Sequence, residues 1–190
     1  MPKSENLRPS PSRVVEDIHE LFKTSGFLGA SQAVMWSQLP PFVRVLLSTD
    51  GTVTKSLESY FWEPVQVLRR AQRVLDKHEV IVDFEVDDAL WLREVELLGE
   101  HSRRSFARAT SYVRFTLLPE SLRQQLERDE LGIGGIIRAL ELETYRKVVA
   151  VGQQPAMPAQ PTSVWRSYHL YYRNQVLMHI TETFDLSAFV

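Results

Sequence analysis

From Trp62 onward the apolar residues of this chain tend to recur at every second position, and that period limits the folds open to it more than any other feature. A strand points successive side chains to opposite faces, so alternation of this kind marks half-buried strands rather than helices. Extended segments are predicted at 63–74, 78–86, 90–99 and 105–115, separated by turns at Asp76-Lys77, Asp87-Asp88 and Gly99 to Arg104. A further strand is predicted over 141–152. After a proline-rich loop at 153–163, two more are predicted within 164–184, around Arg173-Asn174-Gln175. Turns this short favour antiparallel pairing of consecutive strands.

Around this period-two block the spacing lengthens to that of helices. Val14, Val15, Ile18, Leu21 and Phe22 form one stripe, with Ser12 as N-cap and Gly26 as stop. The stretch from Phe27 to Ser48 is apolar but irregular and is broken at Pro40-Pro41. Thr52 is placed to cap a short helix over Val53, Leu57 and Tyr60, whose first N–H groups would then face an anion or a capping side chain. The run 119-PESLRQQLERDE-130 opens on proline, sets Leu122 and Leu126 on one side, and should end near Gly132 before a second short helix. The expected fold class is α+β, a twisted antiparallel sheet of about six strands with helices packed on one face. Residues 1–12, polar and with three prolines, are expected to form a flexible leader, and 13–190 a single domain.

Composition narrows the function classes. With 22 Lys and Arg against 24 Asp and Glu, the formal charge of −2 provides no field for capturing nucleic acid or an anionic membrane. Cysteine is absent, which removes disulfides, thiolate nucleophiles and Cys-based zinc sites. No signal-peptide pattern or spanning apolar run is present, so a soluble, cytoplasmic protein is expected.

Two charges break the pattern. In 176-VLMHITETF-184, Glu182 shares the face of Val176, Met178, Ile180 and Phe184; in 90-LWLREVELLGE-100, Arg93 shares that of Trp91, Val95 and Leu97. Leaving either charge unpaired in a core costs on the order of several kcal/mol, so each needs a partner. The plain alternative is a buried salt bridge between the two, or with other groups of the chain. If the faces coincide around a cavity, a guanidinium and a carboxyl line one apolar pocket, a combination suited to an anionic substrate and proton-coupled chemistry.

Other motifs carry less. The histidines at 19, 78, 101, 169 and 179 show no metal-ligand spacing and are read as surface or structural; no metal site is expected. Gly132, Gly134 and Gly135 lack a P-loop lysine and read as a turn. The aromatic run 165-WRSYHLYY-172 is better suited to packing than to base stacking, given the charge balance. No GxSxG elbow is present.

Taken in order, 49-TDGTVTKSLE-58, LWLRE at 90–94, LGIGGIIR at 131–138 and the closing strand ending ITETF resemble the chorismate pyruvate-lyases, which form 4-hydroxybenzoate from chorismate. The likeness runs from about Leu39 to Ala188, and that family's fold is a six-stranded antiparallel sheet with helices on one side. The resemblance implies that Arg93 holds the ring carboxylate, that Glu182 faces the ring hydroxyl, and that backbone N–H groups at Val53 and Ile136 complete the carboxylate site. Val53 is smaller than the apolar residue often found there, a change that a backbone donor tolerates. The implied partners are chorismate as substrate and 4-hydroxybenzoate as product, with no redox cofactor and no metal. A non-catalytic acid-binding domain on the same fold, as in ligand-sensing domains of transcription regulators, is the competing class. A purely structural module would instead join Arg93 to Glu182 with no cavity between them.

Overall fold

The computed structural model describes residues 34, 36–75, 90–128, 132–154 and 162–189. Six strands form one antiparallel sheet: β1 (Val65–Leu75), β2 (Leu90–Gly99), β3 (Ser105–Arg114), β4 (Thr144–Gln154), β5 (Ser163–Tyr172) and β6 (Gln175–Asp185). Their order across the sheet is β1-β2-β3-β6-β5-β4. The pairs β2–β3 and β5–β6 follow the turn signals and β4 pairs with β5 across the proline-rich loop, whereas β1 pairs directly with β2 although a strand at 78–86 is predicted between them. The central pair follows no turn: β3 lies against β6, with Ala109 opposite Glu182 and Ser111 opposite Ile180. The strand predicted at 78–86, the leader and the first helix lie outside the described residues.

The β5–β6 hairpin closes through Arg173 and Asn174, both at positive φ (48° and 62°). Two consecutive left-handed residues make a turn whose twist matches that of the flanking strands, which sets Tyr172 opposite Gln175, and a one-residue register shift between Leu170 and Tyr171 then brings Arg166 opposite Glu182.

Four helices are described: α1 (Pro41–Ser48), α2 (Val53–Phe61), α3 (Glu120–Arg128) and α4 (Ile133–Ala139). Helix α1 corrects the reading of the stretch ending at Ser48 as irregular over Pro41–Ser48. Pro40 and Pro41 begin a helix instead of breaking one, because proline lacks only an N–H that the first turn could not bond. Val43, Leu46 and Leu47 then fall on one buried stripe. None of the helices among the described residues is long and apolar enough to cross a membrane.

The helices pack on one face of the sheet and form two apolar clusters with it. In one, α1 and α2 meet Val95, Leu97, Phe106 and Phe184. In the other, Leu122 and Leu126 of α3 and Ile136 and Ile137 of α4 meet Val113, Leu170 and Met178. Arg93, Arg166 and Glu182 are buried as well, at 2%, 1% and 9% exposure. They stand on β2, β5 and β6, none of them an edge strand, so the tolerance of sheet edges for inward charges does not account for them.

Candidate active site

A cavity of about 60 Å³ lies between the sheet and the N-termini of α2 and α4. Its floor includes Arg93, Val95, Ser111, Tyr168, Ile180 and Glu182, and its roof is formed by Gly51–Thr54 and Gly132–Gly134. Thr52, Thr54, Val67 and Gly132 also line a wider groove of about 470 Å³, which the cavity adjoins. Arg93 and Glu182, brought together here from strands two apart in the sheet, line the same space.

Glu182 pairs with another group of the chain. Glu182 accepts a hydrogen bond from Arg166 Nε on Oε2 at 2.8 Å, and one from the Tyr168 hydroxyl on Oε1 at 3.1 Å. Both donors come from β5, because the hairpin register sets Arg166 opposite Glu182. The buried ion pair thus has a third anchor in the phenol, and the carboxylate acts as acceptor through both oxygens. Burial, and then the adjacent Glu182 charge, pushes the Tyr168 hydroxyl well above the usual phenol range, so it stays protonated. Arg166 also donates through Nη1 to the Thr49 carbonyl, tying Glu182 to the loop that leads into α2.

Two more arginines grip that loop. Arg146 Nη1 donates to the Asp50 carbonyl at 3.2 Å, and Arg138 Nη2 to Thr52 Oγ1 at 3.2 Å. No side chain caps α2 at Thr52, so the Val53 N–H, at the cavity, has no partner within its helix or from a capping group. The approach of α4 is close: a Cβ on Gly134 would stand 2.8 Å from the Thr52 methyl. Glycine at that position lets the two helix N-termini meet over the cavity.

Val53 and Ile136 fare differently. Val53 lines the cavity, whereas the Ile136 N–H donates to the Gly132 carbonyl at 3.0 Å and its side chain is buried in the α3–α4 cluster. The Ile136 N–H is thus engaged within its own helix, while Ile133 and Gly134 of the preceding turn line the cavity and their N–H groups precede the first intrahelical bond.

Sequence reading missed Arg166, Tyr168 and Arg146. All three share an inward parity along their strands; β5, which carries Arg166 and Tyr168, is buried on nearly every residue, so alternation gave no contrast to reveal those two. The histidines among the described residues are elsewhere: His169 and His179 are cross-strand neighbours on the other face, with ring centroids 5.2 Å apart, and His101 is exposed. Among the described residues no cluster of three or more metal-ligating side chains occurs.

The family described as chorismate pyruvate-lyase Rv2949c-like matches residues 47–189, a range that includes every residue lining the cavity. The chain belongs to that family. Among its relatives, a putative lyase, MJ0807, of Methanocaldococcus jannaschii is 29% identical over 156 residues, covering 74% of this chain and 76% of the relative. The chorismate pyruvate-lyase of Mycobacterium leprae is 28% identical over 158 residues, covering 77% and 75%. That of Mycobacterium tuberculosis strain H37Rv is 26% identical over 161 residues, covering 77% and 81%. In solved structures the fold of this Rv2949c-like chain is similar to PhnF of Mycobacterium smegmatis, with a TM-score of 0.55 at 13% identity over 75% of this chain and 67% of the other. The effector domain of PhnF gives a TM-score of 0.50 at 14% identity, covering 71% and 88%. At such identities the likeness concerns the fold alone.

Proposed function

We propose that this protein is a chorismate pyruvate-lyase, eliminating pyruvate from chorismate to leave 4-hydroxybenzoate without a redox cofactor or metal. The observation that carries the reading is the convergence of Arg93, Glu182 and the N-terminus of α2 on one cavity in a member of this family. The C4 hydrogen leaves as a proton, and the C3–O bond breaks with its electrons passing to the enolpyruvyl oxygen. Protonation of the enol's methylene carbon gives pyruvate, and the ring becomes aromatic. Aromatisation supplies the driving force, so the site's work is to orient an anion and steady the charge that moves to the ether oxygen.

Arg93 takes the ring carboxylate through its planar fork, assisted by the Val53 N–H. Glu182, held by Arg166 and Tyr168, accepts from the ring hydroxyl, which fixes that end of the ring and assists proton transfer. The cavity's volume of about 60 Å³ holds only a few waters, so a ten-carbon acid must also draw on the adjoining groove or displace roof residues.

Incubating the purified protein with chorismate should release pyruvate and 4-hydroxybenzoate in equal amounts. Glu182→Gln should lower turnover by about 10²- to 10⁴-fold, and Arg93→Ala should act chiefly on KM. Absence of both products at high enzyme concentration would reject the reading in favour of a second one, a non-catalytic acid-binding domain. The likeness to the PhnF effector domain supports that alternative.

A further inference from the structure

We propose that Arg166 is a positioning residue: one guanidinium holds both Glu182 in the floor of the cavity and the loop that leads into its roof, and so sets the two relative to each other. The inference rests on the lyase reading for the acid that binds, and on the structure for the residue. Arg166 lies at 1% exposure on β5, an interior strand, and is not among the residues lining the cavity. Its effect on a ligand is therefore exerted through the groups it holds. Nε donates to Glu182 Oε2 at 2.8 Å and Nη1 donates to the Thr49 carbonyl, while the Tyr168 ring centroid lies 5.1 Å from the guanidinium carbon.

The nitrogens in use show that two partners share the group. Nε and Nη2 lie on one edge of a guanidinium, and an arginine that served only to neutralise a carboxylate would offer it both. Here Nη2 is buried and has no hydrogen-bond partner among the described residues. A buried donor left unpaired is costly, and the second bond, to the loop, accounts for an orientation that forgoes the bidentate one. The hold extends into the roof. Thr49 Oγ1 accepts from the Gly51 N–H at 3.0 Å, and Gly51 lines the cavity two residues before Val53. Arg146 and Arg138 bond the same loop at Asp50 and Thr52; Arg166 adds the connection to Glu182.

Two acids separate the arms of this bridge: benzoate, which has only the carboxylate, and 4-hydroxybenzoate, which adds the hydroxyl expected at Glu182. Each is titrated calorimetrically into the full-length chain. Arg166→Lys keeps a cation beside Glu182, but its single nitrogen cannot occupy both positions of the fork. Benzoate should weaken by about 3- to 10-fold, as for one lost hydrogen bond, and 4-hydroxybenzoate by about 10- to 100-fold. Equal weakening puts the effect in the loop alone, and weakening of 4-hydroxybenzoate alone puts it in Glu182 alone. Unchanged affinities make Arg166 a counter-charge and nothing more. Each of these three results overturns the assignment. Should the lysine variant fail to fold, Arg166→Met combined with Glu182→Leu removes both charges and the tether together. Benzoate should then weaken by about the same 3- to 10-fold, and an unchanged benzoate affinity overturns the assignment. If the wild-type protein binds these acids but releases no pyruvate from chorismate, the lyase reading fails while the affinities still decide the role of Arg166. A wild-type protein that binds neither acid rejects both.

Discussion

The two faces of the sheet bury polar groups by opposite means. On the helix side, Arg166 and Glu182 form a buried ion pair, with the Tyr168 hydroxyl as a further donor. On the other face, His169 and His179 face each other across β5 and β6, where burial disfavours their charged forms. Burial lowers the His169 value, with Lys147 adding to the effect; His179 is lowered to about 4 by burial and then by His169. A buried group that must present charge to a ligand needs a counter-charge, whereas one that only fills space can give its proton away. The difference separates a site from a packing face on physical grounds.

The comparison breaks most sharply at Arg166. Replacing it with methionine leaves Glu182 buried without its cation and should cost about 3–5 kcal/mol of unfolding free energy in urea titrations. Combining it with Glu182→Leu should restore much of that stability while leaving chorismate turnover abolished. If the single variant were as stable as wild type, the ion pair would not be what holds the carboxylate.

The second effect tests the opposite face. Because the unfolded His179 takes a proton near its ordinary value of 6.5 and the folded one only near 4, stability is complete above pH 6.5 and is lost as pH falls toward 4. The loss should approach on the order of 3 kcal/mol. Between pH 6.5 and 5, above the ordinary carboxylate range, His179→Gln should flatten the dependence of the urea midpoint on pH. Identical slopes in variant and wild type would remove the neutral-histidine account.

The smallest effect lies in the phenol. Tyr168→Phe keeps the ring and the ion pair but removes one donor to Glu182, and should cost about 2 kcal/mol. It should also lower turnover less than Glu182→Gln does. A larger loss of activity than that variant shows would make the hydroxyl, rather than the carboxylate, the principal polar group at the ring.

Much of the fold was readable because its signals are local. The period-two runs within the described residues, the helix opening at Pro119 and the hairpin at Arg173-Asn174 each lie within a dozen residues, and these appear in the structure. Helix α1 was missed because proline signals both breakage and initiation, and only the burial of Val43, Leu46 and Leu47 distinguishes them. In the candidate site, Arg93 and Glu182 were conspicuous because polar neighbours on the opposite parity made the faces distinct. Arg166 and Tyr168 were not, since Trp165 beside them is equally buried and supplies no contrast.

The sequence by itself determined that Arg93 and Glu182 each lie on the apolar face of their own strand, because side-chain parity follows from backbone geometry alone. Only the tertiary structure decided that β3 meets β6, that Arg166 rather than Arg93 holds Glu182, and that two helix N-termini close over the cavity. Those are neighbour relations between segments tens of residues apart. A period of two names a side chain's face and is silent about what stands opposite it.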